Sequence, residues 1–434
     1  MSRELQAGLT TFAAMAYILV VNPSILAETG MDRAALVTAT ALSAALSTVL
    51  MAALTNFPLA LAPGMGINAY FTYTLCLGQG IPWQDALGMV FINGVIFLAL
   101  SVTGLREKIV HAIPPAIKVA ITCGIGLFIA FLGLKNGGLV VGHPQTLVTA
   151  GDLGEPGPAL CFAGILLMLV LVHRRVPGGI ILTVLAIALV GVITPDGSGG
   201  TITTLPTSLV STPASPGPVA LELRFDFVRD YFWAALPIIL TLLFVDMFDN
   251  IGTLIGVTKR AGLLRPDGTL PRMGNALVAD SSAAILSSVI GTSTVVSYVE
   301  SAAGVEAGGR TGLTSLTTAV LFLVALVFSP MILAIPAVAT APALVVVGVF
   351  MMQSAMELDW RDFPWIAPAV VTMLVMPVTM SISEGIGFGM IVAAVLLVAA
   401  RRQREMPVLG YVIAALFLAQ FFRGPIGRWL QSLS

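Results

Sequence analysis

Long apolar stretches recur along the whole chain and restrict how it can fold more than any other feature. Of 434 residues, 57% are hydrophobic and only 10% are charged, and the mean hydropathy is +0.98. Single runs approach the roughly 20 residues that a helix needs to cross a hydrocarbon core. Because backbone groups in a membrane must bond to one another, spanning helices are expected. We predict an all-α polytopic protein of the plasma (inner) membrane.

Fourteen apolar segments can be counted, seven on each side of a polar loop. The loop reads TPDGSGGTITTLPTSLVSTPASPGP, and its prolines and polar residues predict an aqueous segment without regular helix. The predicted segments are 8–27, 34–55, 62–77, 84–104, 112–133, 158–173, 178–194, 231–257, 273–290, 291–304, 311–333, 335–356, 363–380 and 385–400.

The distribution of Lys and Arg predicts the orientation. If the N-terminus is cytoplasmic, the loops on the cytoplasmic side carry most of the basic residues, as is usual for membrane proteins. These residues are Arg106, Lys108, Arg174, Arg175, those between 259 and 272, Arg310, Arg361 and those in RRQR at 401–404. The tail at 407–422 has only a short apolar part, so an interfacial or partly inserted helix is expected there.

The two halves resemble each other. IPPAIKVAITCGIGLFIAFLGL begins at Ile113 and IPAVATAPALVVVGVFMM at Ile335, while APGMGINAYF at Ala62 is matched by GTSTVVSYVESAAG at Gly291. Since seven segments per repeat place the two copies in opposite orientations, an inverted repeat is predicted, as in many secondary transporters. The first repeat is 1–229, and the second is 230–434 together with the tail helix.

The third and tenth segments are short and rich in Gly, Pro, Ser and Thr, which are poor helix formers. Irregular backbone at membrane depth is tolerated only where it is buried in protein or lines a cavity. Interrupted segments at matching places in two repeats therefore predict the position of a substrate site.

Three carboxylates lie in apolar surroundings near these segments. Asp246 and Asp249 share one helix face, and Glu300 lies in the tenth segment. A charge at the bilayer centre costs about 2.5–3.5 kcal/mol, so such side chains normally face a polar interior. They either bind a ligand or a proton, or they join helices by hydrogen bonds, and for Asp246 both interpretations stay open.

Four motifs carry a resemblance to a known family: GLTTFAAMAYILVVNPSIL, APGMGINAYFTYTL, FVDMFDNIGTLIGV and GTSTVVSYVESAAGVEAGGRTGLT. They resemble the AzgA-like purine permeases of the nucleobase:cation symporter-2 family, within the xanthine/uracil permease superfamily. The resemblance implies fourteen segments in two inverted repeats of seven. It also implies paired short strands in the third and tenth segments, a core domain at roughly 8–104 and 231–333, and a gate domain at roughly 112–194 and 335–400.

The resemblance also implies site residues, one position at a time. The acid of the family's eighth segment falls on Asp249, that of the tenth on Glu300, and the Asn of the third on Asn68. Asp246 matches an additional carboxylate of the branch. Asn250 stands where the branch usually has Thr, which weakens any inference about which purine is preferred.

A purine such as hypoxanthine, guanine or adenine suits these groups because it is planar, neutral and rimmed with N–H donors and acceptors. Carboxylates accept its N–H groups, and backbone groups around Thr292 and Val299 are expected to bond to the rest of the ring. Asp246 or Asp249 is the expected carrier of a coupled proton, because closely spaced carboxylates cannot all stay ionised. The expected activity is purine import by proton symport, and the resemblance leaves a homodimer open.

Other functions find less support. A net charge of −1 without a basic patch argues against a nucleic-acid partner. Three scattered histidines and three scattered cysteines predict no metal, no cofactor and no enzymatic centre. The main alternative is an anion transporter or channel of the same architecture. It would need a positive site, and the only lysine in the middle of a segment is Lys118.

Overall fold

A computed structural model of the protein describes residues 1–103, 114–197, 199–263 and 270–433, without the side chains of residues 248, 249, 251, 252, 255, 420 and 422–433. The helices are α1 (Ser2–Met15), α2 (Ile18–Ala27), α3 (Arg33–Thr55), α4 (Met65–Ala69), α5 (Trp83–Thr103), α6 (Pro115–Asn136), α7 (Pro156–His173), α8 (Gly179–Gly191), α9 (Asp226–Asp230), α10 (Phe232–Arg260), α11 (Met273–Ile290), α12 (Ser301–Glu306), α13 (Gly312–Ala325), α14 (Ser329–Ala334), α15 (Ala337–Met352), α16 (Phe363–Thr379), α17 (Ile382–Ala399) and α18 (Val408–Leu433). The strands are β1 (Leu61–Pro63), β2 (Val140–His143), β3 (Leu147–Ala150) and β4 (Val295–Ser297).

Helices of membrane-spanning length dominate the structure. Among the described residues, nine helical segments are long and apolar enough to cross a membrane, and four shorter helices are also apolar. The first of the nine, Ser2–Ala27, contains both α1 and α2, which are separated by a turn at Ala16 and Tyr17. The predicted multi-pass helical protein is confirmed, whereas the count of fourteen segments stays a prediction.

The third and tenth segments are interrupted by strands, as predicted. β1 and β4 pair in antiparallel register, with Leu61 opposite Ser297 and Pro63 opposite Val295. The short helix α4 follows β1 along the chain, and a π-helix, Tyr70–Gly78, follows directly after α4. All residues of both strands are buried, so their backbone groups cannot reach bulk water.

Side chains from neighbouring helices bond to backbone groups of this two-stranded sheet and of the residue before β1. The Thr48 hydroxyl of α3 accepts from the Leu61 N–H at 2.9 Å and donates to the Leu61 carbonyl at 3.1 Å. The Ser301 hydroxyl accepts from the Ala60 N–H at 3.0 Å. A buried backbone group without a partner costs about 1–3 kcal/mol, so these hydroxyls are what allows so short a sheet to persist.

The chain forms two compact units. One consists of Met1–Val102 and Ile129–Val347, and it contains the strand pair. The other consists of Thr103–Phe128 and Gly348–Ser434. This division reflects packing within each unit. The predicted core and gate concern motion, and they stay a prediction.

In the second unit, Arg402 fixes the segment between α17 and α18. Its guanidinium donates to both carboxylate oxygens of Asp362, at 2.5 and 2.7 Å, and to both of Glu405, at 2.6 and 2.7 Å. Hydrogen bonds from Arg402, and then from the Trp365 indole, hold the pKa of the Glu405 carboxyl below its usual value. Planar two-point pairing of this kind is specific to Arg, because Lys cannot present two parallel donors.

The structure contains a hairpin that the sequence analysis did not predict. β2 and β3 pair between α6 and α7, and the His143 imidazole accepts from the Thr146 N–H at 3.2 Å in the turn. The polar loop after α8 was predicted to be aqueous, but its end contacts a helix. Its end lies against α11, where the Leu221 N–H donates to the Val289 carbonyl at 2.8 Å.

Gly291 ends α11 in a conformation that other residues rarely adopt. Its φ is +99°, and a Cβ atom there would lie 2.3 Å from the Val219 carbonyl oxygen of the returning loop. We expect Gly291→Ala to lower the free energy of unfolding by at least about 1–2 kcal/mol from backbone conformation alone. The melting temperature of the purified protein in detergent measures the effect.

Gly274→Ala is the matched control. Gly274 lies near the start of the same helix, and a Cβ atom at this position would meet nothing within 4 Å. Alanine favours helix over glycine by up to about 1 kcal/mol, so this variant should melt at or above the wild-type temperature. Equal melting temperatures for both variants would contradict the role given to Gly291.

Candidate functional site

The predicted site residue Glu300 lies just after β4, where the chain turns into α12. The Tyr17 hydroxyl, from the turn between α1 and α2, donates to Glu300 Oε1 at 2.7 Å. A carboxylate has about four lone-pair positions, so this single bond leaves capacity for further donors. Glu300 is half-buried.

Asn68 lies in α4, just after β1, and is fully buried. Its Oδ1 accepts from the Ser293 hydroxyl, which joins the third segment to the tenth. Among the described residues, Asn68 Nδ2 has no hydrogen-bond partner, and the same holds for the hydroxyls of Thr72 and Thr294. Buried polar atoms are almost always bonded, so this group of donors and acceptors points to water or a polar ligand.

Thr292 and Val299, two predicted site residues, differ in which of their hydrogen-bonding groups are available to a ligand. The Thr292 N–H donates to the Ser287 carbonyl at 3.0 Å and so helps to cap α11, and the Thr292 hydroxyl accepts from Asn22 Nδ2 at 3.0 Å. The N–H is therefore occupied within the protein, and the hydroxyl is held in place by Asn22. The Val299 side chain is 51% exposed, and its N–H has no partner among the described residues. Val299 is thus the better candidate for a backbone donor to a ligand.

Asp246 is fully buried in α10 and is held by amide side chains. Asn93 Nδ2 donates to its Oδ2 at 3.2 Å, and Asn250 Nδ2 donates to its Oδ1 at 2.8 Å. Asn250 Oδ1 in turn accepts from the Ser297 N–H of β4 at 2.9 Å. Asp246 is therefore connected to the strand pair through one amide group.

The sequence analysis did not assign roles to Tyr17, Asn93 or Asn250. Each is a polar side chain within an apolar segment, and that signal could have marked them, because such residues normally face a polar interior. The partners of Tyr17 and Asn93 could not be read from the sequence, since those contacts join distant parts of the chain. The contact of Asn250 with Asp246 joins residues four apart on α10, and helical spacing could have indicated it. The side chain of Asp249, also a predicted site residue, lies outside the described residues.

The groups around the strand pair are carboxylates, amides and hydroxyls. Such a set can bind a polar ligand by many hydrogen bonds, and its acids favour a ligand with N–H donors. In the parts of the chain that the structure describes, no group of three or more His, Cys, Asp or Glu residues could hold a metal ion. The arrangement resembles a binding site more than a catalytic one.

Comparison with known proteins places this chain in a family. The family model described as "Permease family", for xanthine/uracil permeases, matches residues 2–388. The chain belongs to the xanthine/uracil permease family. It is therefore a multi-pass membrane permease and not an enzyme, and the family resemblance seen in its motifs is confirmed.

Relatives of this permease match it over nearly their whole length. It is 40% identical to the guanine/hypoxanthine permease PbuG of Bacillus subtilis over 427 residues, which cover 96% of each chain. It is 37% identical to the adenine permease AdeP of Escherichia coli over 415 residues, which cover 96% of this chain and 91% of AdeP.

A solved structure shares the fold. The transmembrane domain of the cyanobacterial bicarbonate transporter BicA superposes with a TM-score of 0.62 at 15% identity, covering 90% of this chain and 98% of that domain. At this identity the likeness establishes the fold alone. The predicted fold class, a helical transporter with short strands in its interrupted segments, is confirmed.

Asn250 provides a test of how the site is held together. In Asn250→Ala, Asp246 loses one donor and the Ser297 N–H loses its acceptor, so two buried groups are left with fewer partners. We expect the free energy of unfolding to fall by about 1–3 kcal/mol, observed as a lower melting temperature in detergent. Asn275→Ala is the control, because Asn275 makes its hydrogen bond to Leu54 at an exposed position. Equal losses in the two variants would argue against the structural role of Asn250.

Proposed function

We propose that this permease imports purine nucleobases of the hypoxanthine, guanine and adenine class by proton symport. It acts in the plasma (inner) membrane with its N-terminus in the cytoplasm. The relatives named guanine/hypoxanthine and adenine permeases support the substrate class. The observation that carries the proposal is the strand pair, because it brings the third segment, which contains Asn68, beside the tenth, which contains Val299 and Glu300.

These groups complement a purine edge. The Glu300 carboxylate accepts ring N–H groups, as does Asp249 in our proposal, while the Asn68 amide both donates and accepts. The Val299 N–H supplies a donor to a ring nitrogen or carbonyl oxygen. A site built from such groups discriminates strongly, because a ligand that lacks one matching group leaves a buried polar atom unpaired. Thr292 contributes by fixing the turn through Asn22.

An anion transporter is the competing proposal, supported by the fold of a bicarbonate transporter. The local chemistry favours the purine. An anion would meet the carboxylate of Glu300, and a positive group would be needed to offset the repulsion. The 40% identity to a guanine/hypoxanthine permease extends over the whole chain, whereas the bicarbonate transporter shares 15%.

Alternating access supplies the transport step. In this proposal a core domain, roughly 8–104 and 231–333, carries the site past a gate domain, roughly 112–194 and 335–400. The strand pair and all the site residues lie in the proposed core. Domains that move as rigid bodies around a fixed site are common in transporters built from inverted repeats.

Proton coupling is assigned to Asp246 with Asp249 as its neighbour. Both oxygens of Asp246 accept amide N–H groups, an arrangement that suits the ionised form. A proton on Oδ1 would displace the Asn250 N–H. If the Asn250 amide then turned to accept that proton, the Ser297 N–H would lose its acceptor. Protonation of Asp246 is thereby linked to the strand beside the substrate.

The substrate is tested by uptake of radiolabelled hypoxanthine into cells that lack their own purine permeases. The wild-type chain should restore uptake, and Glu300→Gln or Asp249→Asn should lower purine affinity at least about tenfold, since a hydrogen bond to a charged group contributes about 1.5–3 kcal/mol. Calorimetry on the purified proteins gives the affinities.

Glu306→Gln is the matched control, because this carboxylate lies nearby in α12 but is 63% exposed and pairs with Arg260. It should leave hypoxanthine affinity at the wild-type value. Wild-type affinity in Glu300→Gln would overturn the site. Bicarbonate uptake without purine uptake would favour the anion transporter.

Coupling is tested in reconstituted vesicles. An inward pH gradient should accelerate purine uptake, and added purine should move protons inward. Asp246→Asn should abolish both effects while retaining purine exchange, because an amide cannot carry the proton. Asp226→Asn, at the exposed pair with Arg229, should behave as wild type. Uptake that ignores pH but follows a sodium gradient would refute proton symport.

A further inference from the structure

A cavity lies in the first compact unit, and none of the described residues that line it belongs to the strand pair. Its volume is about 390 Å³, within the range of small-molecule sites. Its walls come from α1, α2, α8, α14 and the polar loop that follows α8. Among the described residues that line it, every one except Thr203 is apolar, and they include Phe12, Leu19, Leu185, Leu205, Phe328 and Ile335.

The loop wall is held in place by hydrogen bonds. The Ser211 N–H donates to the Val327 carbonyl at 3.0 Å, and the Ser211 and Ser329 hydroxyls lie 3.1 Å apart. Leu205 and Leu209 of this loop line the cavity and yet are 67% and 65% exposed. A loop predicted to be aqueous thus presents apolar side chains beside membrane helices, where a hydrocarbon chain would cover them.

Two polar groups accompany the apolar walls. Thr203 is only 5% exposed, and among the described residues its hydroxyl has no hydrogen-bond partner. Arg33 is hydrogen-bonded to a residue of the cavity wall: its Nη2 donates to the Ile335 carbonyl at 3.0 Å, and also to the Ser24 hydroxyl at 3.2 Å. Within the described part of the chain it has no carboxylate at ion-pair distance. A guanidinium has five N–H donors, so several of those on Arg33 remain for an anion.

We propose that this cavity binds an anionic phospholipid of the surrounding bilayer. One acyl chain occupies the apolar interior, an ester carbonyl accepts from the Thr203 hydroxyl, and the headgroup phosphate pairs with Arg33. The charge of Arg33 favours a lipid with net negative charge over a zwitterionic one. A purine does not suit the site, because the walls provide one hydroxyl where the rim of a purine needs several partners.

Arg33 also fits the position of a phosphate. It is the first residue of α3, which is long and apolar enough to span the membrane, so its guanidinium lies at one end of a spanning helix. Basic side chains at helix ends lie at the depth of lipid headgroups. This inference does not rest on the proposed function, because lipid binding is measured directly and without purine.

The test uses the full-length protein, stripped of lipid in detergent, and native mass spectrometry with added phosphatidylglycerol or phosphatidylcholine. Phosphatidylglycerol should bind about fivefold more tightly, because both lipids offer a phosphate but the choline cation of phosphatidylcholine is repelled by Arg33. Arg33→Gln should remove the preference, and Arg33→Lys should restore part of it. Thr203→Val and Ala188→Leu should weaken the binding of both lipids, since the first removes a donor and the second fills the cavity.

Arg224→Gln is the matched control, because it makes the same change of charge at an exposed site outside the cavity. It should keep the preference for phosphatidylglycerol. Melting temperatures identify any variant that fails to fold. If a variant at Arg33 or Thr203 fails to fold, the loss of lipid binding in Ala188→Leu is the test of the proposal. Equal binding of the two lipids, an equal effect of Arg224→Gln, or full competition by inorganic phosphate would overturn the proposal. A change of oligomeric state in Ala188→Leu without loss of lipid would show that a second copy covers the cavity instead.

Discussion

The site depends on a short sheet that is buried without access to bulk water. β1 and β4 have three residues each, and isolated strands of this length are not stable. They persist because helices supply hydrogen-bond partners for their edges: the Thr48 and Ser301 hydroxyls on the side of β1, and the Asn250 amide on the side of β4. The stability of the sheet therefore depends on these polar residues of the apolar helices. Losing one of them exposes a buried backbone group with no alternative partner.

The same constraint explains why structural and functional polar groups are adjacent. Asn250 satisfies the Ser297 N–H and also donates to Asp246. Asn68 lies in the short helix after β1 and also accepts from Ser293 across the two repeats. A residue that stabilises the sheet is thus hydrogen-bonded to a residue that can bind a ligand. Substitutions in this region should seldom change binding without also changing stability.

Much of this organisation could be predicted from the sequence. Hydropathy predicted the membrane helices, and low helix propensity located the interrupted segments that contain β1 and β4. Motifs predicted the family, which the family match confirms. The hairpin of β2 and β3 was missed, because it lies outside the apolar pattern on which the analysis depended. The partners Tyr17 and Asn93 were also missed, since hydrogen bonds between residues more than 100 positions apart leave no local pattern. Asn250 was missed as a partner of Asp246 although the two lie four residues apart on one helix, a spacing that places them on the same face.

The pairing of β1 with β4 has a consequence for how the protein is made. Leu61 must meet Ser297, and Tyr17 must meet Glu300, which is 283 residues away along the chain. A ribosome delivers the first of each pair long before the second, so β1 enters the membrane with one edge unpaired. The Thr48 hydroxyl, in the helix before β1, can bond to one edge of β1 at this early stage. The other edge has no partner strand until β4 has been synthesised. The nascent first half should therefore be the stage of biogenesis at which this permease most needs a chaperone or insertase beside it.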